Sequence, residues 1–167
     1  MRLSPIALVF GLAASSMAVP SASQRADDQI APRSISLLKQ GEAAAAAGRY
    51  QEADDAFEAA LAVDPRNRAA FVAMARVAAR QKLYGQAIRF TNKALILEPT
   101  DREALSVQGQ AMVELGASAR AKEVLAKLQA LCAGPCAEAG TLSGAIAKGP
   151  TMAAAKPAAA TAKTKTN

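Results

Sequence analysis

The chain has 167 residues, 20 Lys and Arg against 14 Asp and Glu, two cysteines and no histidine. Without histidine the usual general base, Ser–His triads and most zinc sites are excluded, and two cysteines are too few for a structural metal centre, so no cofactor and no metal is expected. The formal charge of +6 comes without interleaved aromatic and basic residues, which argues against a nucleic-acid partner.

Residues 1–23 place one positive charge, Arg2, before an apolar run from Ile6 to Ala14 and then a string of small residues. That is the layout of a secretory signal peptide. Ser21 and Ser23 put small side chains at the minus-three and minus-one places, so cleavage before Gln24 is the first choice and cleavage after Ala18 the second. The apolar run falls short of the ~20 residues of a spanning helix; an uncleaved anchor is the alternative. The expected location is therefore periplasmic or secreted. Residues 24–33 carry Asp27, Asp28 and Pro32 and read as a linker.

Helical periodicity then predicts three hairpins, 34–47 with 50–63, 68–81 with 84–97, and 103–115 with 117–131. Their short connections force antiparallel neighbours. Asp54 and Asp55 fall mid-helix, where neighbouring side chains point about 100° apart, so they read as a solvated face rather than an acid/base pair. Residues 134–148 form a candidate capping helix that would use Ala137, Leu142 and Ile146. Residues 149–167 are almost wholly Ala, Lys, Thr and Pro, with Lys156, Lys163 and Lys165. Alanine buries too little surface to offset ordering entropy, so this basic tail is predicted to be disordered.

The hairpins repeat. Tyr50, Ala53, Ala60, Leu61 and Pro65 return thirty-four residues later as Tyr84, Ala87, Ala94, Leu95 and Pro99, and a weaker copy gives Gly116, Ala121, Leu125 and Leu128. With Ser34, Arg68 and Arg102 as first positions, the eighth holds Gly41, Ala75 and Gly109, and the twentieth holds Ala53, Ala87 and Ala121. Small side chains there let the paired helices approach, and Leu37, Phe71, Leu105, Phe57 and Leu128 fill the gaps beside them. Gly48 and Gly116 suit the left-handed turn that ends a first helix. Pro65 and Pro99 end the second helices, and Asn67 and Asp101 stand as N-caps. Lys82 takes the turn glycine's place in the second repeat, Thr91 the place of Phe57, and no tryptophan holds the fourth position.

This pattern, over roughly 34–133, resembles the tetratricopeptide repeat family. The resemblance implies an all-α solenoid of about three helix-turn-helix repeats (34–67, 68–101, 102–133). It also implies a non-enzymatic scaffold that binds a protein or peptide. Short exported proteins of this kind suggest an assembly or secretion accessory of the bacterial cell envelope. In the family the second, fifth, ninth, twelfth and thirteenth repeat positions line a concave groove. Carried onto this chain, they are Ile35, Leu38, Glu42, Ala45 and Ala46; Ala69, Val72, Arg76, Ala79 and Arg80; and Glu103, Ser106, Gln110, Val113 and Glu114. The lysine–asparagine clamp of some relatives is missing, with Leu38 and Glu42 at the clamp-like places. What remains is an apolar strip from Ile35 through Leu38 to Val72, leading to Arg76 and Arg80. Four residues apart, these arginines share one helical face and could fork onto a carboxylate. The expected ligand is an acidic peptide with an apolar anchor.

Cys132 and Cys136 flank Ala-Gly-Pro at the end of the last repeat helix. A structural disulfide, buried free thiols and a redox pair all remain open on spacing alone. Two other functions are therefore carried beside the scaffold. One is a binder of anionic membrane or cell-wall surfaces, through the basic middle repeat and tail or an uncleaved signal. The other is a redox protein built on the cysteine pair.

Overall fold

The computed structural model describes residues 29–151. Residues 1–28, where a signal peptide and most of the linker are expected, and the tail beyond Thr151 lie outside the described residues. Within them seven helices form and no strand. They are α1 (Pro32–Ala46), α2 (Tyr50–Val63), α3 (Arg68–Arg80), α4 (Tyr84–Leu97), α5 (Arg102–Glu114), α6 (Ser118–Leu131) and α7 (Ala137–Lys148). None of the described helices is long and apolar enough to cross a membrane.

α1 starts two residues earlier than its periodicity predicts, so the linker stops short of Pro32. A proline at the first helical position loses nothing, because its missing N–H has no intrahelical acceptor and its φ is already helical. The first helix of each pair ends in one and the same turn. Gly48 and Gly116 take φ of 76° and 77°, and Lys82 takes 62°. In the first turn the Gly48 N–H donates to Ala45 O and the Arg49 N–H to Ala44 O. The same two bonds recur from Lys82 and Leu83, and again from Gly116 and Ala117. This crossed pair satisfies carbonyls that the helix end leaves orphaned. Asn67 and Asp101 cap α3 and α5 by accepting from the Ala70 and Ala104 N–H groups at 3.3 and 2.8 Å.

The helices of each pair close on small residues. Ala53, Ala87 and Ala121 are fully buried, as are Ala60, Ala94 and Leu128 one helical heptad later. A Cβ added at Gly41 would lie 2.4 Å from the Phe57 ring, so glycine there is what admits the ring. The second repeat changes both partners together, with Ala75 and Thr91 in those places, both buried. The Thr91 hydroxyl donates back to Ala87 O at 3.1 Å and Ile88 O at 3.0 Å, which removes its polar cost. Phe90, one residue earlier, packs against the first repeat's core and against the Ala75, Ala78 and Ala87 cluster.

A polar seam ties each repeat to the next. The Ser34 hydroxyl donates to Ala60 O at 2.7 Å and accepts from Asn67 Nδ2 at 2.8 Å, all buried. The carboxylate of Asp64 accepts from the Ala31 N–H at 2.9 Å. One repeat on, Arg68 stands in Ser34's place and pairs with Asp101. Arg102 then faces Glu138 at 3.8 Å.

α7 is the capping helix. It packs on α5 and α6 as α5 packs on α3 and α4, taking the place of a fourth first helix. Leu142 drives into the space beside Gly109, where a Cβ would come within 2.5 Å of it. Cys132 and Cys136 are joined in a disulfide across the α6–α7 turn, with Cα atoms 6.2 Å apart.

Candidate binding groove

Successive first helices, α1, α3, α5 and α7, touch one another, whereas α2, α4 and α6 touch only first helices and α7. An array in contact along one side and splayed along the other curves, with the first helices on its inner face. A residue of a first helix can therefore face the inner surface, its own partner helix, or the next first helix. Burial decides which.

Positions two, nine and thirteen face outward into the groove. Ile35, Glu42, Ala46, Ala69, Arg76 and Arg80 are exposed, and Glu103, Gln110 and Glu114 half-buried. Of positions five and twelve, Leu38, Val72 and Val113 do not, whereas Ala45, Ala79 and Ser106 line the clefts. Leu38 is 9% exposed and packs within the first core cluster, beside Ala44, Ala70 and Ala73. Val72 is 2% exposed, against Ala94 and Ala104. Val113 is 1% exposed, against Leu105, Ala121 and Leu128. Ala45 and Ser106 are buried as well. Residues seven apart lie on one helical face, and here that face meets neighbouring helices. The apolar strip from Ile35 through Leu38 to Val72 therefore does not exist as a surface, and Val113 is a core residue. Of the strip only Ile35 stays open.

What lines the groove is more polar. A cleft of about 160 Å³ between α1 and α3 has Glu42, Arg76 and Arg80 at its rim, with Ala73, Val77 and Phe57 beneath. A second lies between α3 and α5, bounded by Arg76, Ala79, Arg80, Val107 and Gln110. A third runs on to α7 and adds Glu103, Glu138 and Thr141. Arg76 borders all three. The two arginines do share a face, as their spacing predicts. Both are already engaged. Arg76 pairs with Glu103 across the joint between α3 and α5, and Arg80 Nη1 donates to Ala45 O at 3.3 Å. Gln110 Nε2 donates to Ser106 O and Oγ at 3.2 and 3.1 Å.

Sequence reasoning missed Ala73, Val107 and Thr141. The signal was available. All three hold the sixth repeat position, Thr141 when Cys136 is counted as the start of a fourth repeat. The disulfide closes the α6–α7 turn away from these clefts, and neither cysteine lines one.

On the outer side, Asp54 sits half-buried in a cleft with Glu58, Met74, Gln81 and Phe90. Burial raises its pKa above the ordinary 3.8, and the negative charges of Glu58 and Asp55 add to the rise. Asp55 itself is exposed and accepts from Gln51 Nε2 at 3.0 Å. Among the described residues no cluster of metal-ligating side chains forms.

Stacked helix pairs with a groove along their first helices define an α-solenoid. A family model described as "Tetratricopeptide repeat" matches residues 44–111. The solved structures agree. The Sgt2 TPR domain from Aspergillus fumigatus is 25% identical, with a TM-score of 0.64 over 71% of this chain and 80% of that one. The first TPR of Spaghetti (RPAP3), solved with the HSP90 peptide SRMEEVD, is 24% identical, with a TM-score of 0.64 over 70% and 91%. The TPR2B domain of yeast Sti1, in a pHsp70 complex, is 17% identical, with a TM-score of 0.65 over 71% and 98%. None of the curated proteins compared matches the chain. The helical array has the fold of tetratricopeptide repeat domains, and the family model matches its central residues, 44–111.

Proposed function

We propose that this protein is a non-enzymatic interaction scaffold whose groove takes an acidic peptide at Arg76 and Arg80. One observation carries the reading. Arg76 lies where the three clefts of the inner face meet, with Arg80 one helical turn away on the same face. A guanidinium fork suits a carboxylate, and the charge-assisted bond is about twice as strong as a neutral one. Two similar folds support the ligand class, since one was solved with SRMEEVD and another with an Hsp70 partner. SRMEEVD has an apolar residue beside two glutamates. In this chain Leu38 is buried and Glu42 is acidic, so a terminal carboxylate is not what the groove reads. The acids within the peptide are.

The test is titration of SRMEEVD, with free and with amidated C-terminus, into the wild type and the Arg76→Glu/Arg80→Glu variant. Both peptide forms should bind the wild type with similar affinity, and the double variant should lose both while keeping its helical signal. Capture that survives the double change moves the binding surface elsewhere. A protein exported through its first 23 residues would meet its partner in the cell envelope. An N-terminus at Gln24 or Val19, read by mass spectrometry of the exported protein, supports that location, and an intact Met1 favours the anchored form.

A further inference from the structure

The groove's central cation is not waiting empty-handed. Arg76, at the ninth position of the second repeat, pairs with Glu103, at the second position of the third. The equivalent places across the first joint are Glu42 and Ala69, which form no such pair. Across the last joint they are Gln110 and Ala137. Among the described residues, this is the joint whose ninth and second positions form an ion pair, and it lies where the three clefts meet. The last joint carries a different pair, Arg102 with Glu138 at 3.8 Å. The neighbouring Arg80 holds, among the described residues, a neutral carbonyl, Ala45 O.

We infer that Glu103 is a built-in competitor for the ligand carboxylate at Arg76, an inference that rests on the groove reading above. Glu103 reaches Arg76 from the next helix and occupies the guanidinium that an acidic ligand needs. The side chains are partly exposed, 48% for Arg76 and 42% for Glu103, so solvent screens the pair and lets it be displaced, although the Glu103 Oε1 that meets Arg76 is itself buried. An incoming carboxylate at Arg76 exchanges one such pair for another and gains little there. A second acid reaching Arg80 replaces a neutral acceptor with a charged one, which is a net gain. Glu103 therefore sets a threshold that favours ligands with two adjacent acids over ligands with one. It is a specificity-determining residue of the groove, and its removal should loosen that threshold.

The experiment is a double-mutant cycle on the full chain, read as the Kd of SRMEEVD for the wild type, Glu103→Gln, Arg76→Gln and the pair. Glu103→Gln should tighten binding about two- to fivefold, the range an exposed ion pair spans. In the Arg76→Gln background the same change should do nothing. A thermal melt of each variant separates the competitor role from a merely structural one, since competition tightens binding without requiring a more stable fold. If Arg76→Gln weakens binding but Glu103→Gln leaves it unchanged or weaker, the competitor role is overturned and the groove reading stands. If Arg76→Gln leaves binding untouched, the groove reading itself is overturned and this inference with it.

Discussion

The first and second repeats share a backbone and differ in the side chains that hold it. Gly48 and Lys82 make the same turn, with φ of 76° and 62°, although one has no Cβ and the other carries a long charged chain. Gly41 admits the Phe57 ring, whereas Ala75 stands with the smaller Thr91. The first seam is a buried neutral hydrogen bond from Asn67 to Ser34, and the second is an ion pair of Arg68 with Asp101. What repeats is geometry, namely a close helix approach, a left-handed turn and a tie between successive repeats. Side chains change freely where the geometry is kept.

The largest effects test the close approach. Phe57 is fully buried, and Phe57→Ala should cost about 3–5 kcal/mol by denaturant or thermal unfolding. Gly41→Ala should cost about 1–3 kcal/mol through overpacking against that ring, and much of this cost should vanish when Phe57 is already Ala. Additive costs would mean that the glycine and the ring are not coupled. Smaller effects test the turn. Lys82→Gly should stabilise the protein by about 0.5–1 kcal/mol, because only glycine takes positive φ without a steric penalty. Gly48→Ala should destabilise by a similar amount, and a matching sign at both sites would contradict the shared turn.

The smallest effect is confined to acid. The Asp64 carboxyl is held below its ordinary 3.8, chiefly by the Ala31 N–H and then by Arg66. A depressed folded-state pKa contributes stability that is fully present above the unfolded value and is lost as pH falls through the folded one. Unfolding midpoints should therefore drop below about pH 4, and Asp64→Asn should flatten that limb. Asp54, raised by burial, acts in the opposite direction: its protonation favours the fold at low pH, and that contribution is lost as pH rises through its folded pKa.

The period made most of the fold legible. Tyr50, Tyr84, Pro65 and Pro99 mark helix ends, and Asn67 and Asp101 are the caps their types suggest. The groove was half legible. Spacing alone puts Arg76 and Arg80 on one face, but it does not say which side of a first helix the next first helix will cover. That is why Leu38, Val72 and Val113 read as groove residues and turn out to be core. Glu103 lines a cleft at the place its repeat position implies, while its pairing with Arg76 depends on how two repeats dock. The cysteine spacing reads most simply as a disulfide while leaving free thiols and a redox pair open, and the α6–α7 turn is what brings the two sulfurs together.

The most direct test of the groove is backbone amide chemical-shift mapping of the labelled protein as SRMEEVD is added. Shifts should concentrate on the inner face, at Ala73, Arg76, Arg80, Val107 and Gln110, and leave exposed Ile96 on α4 unmoved. Shifts that gather instead on α2, α4 and α6 would contradict the account, placing the ligand on the outer surface.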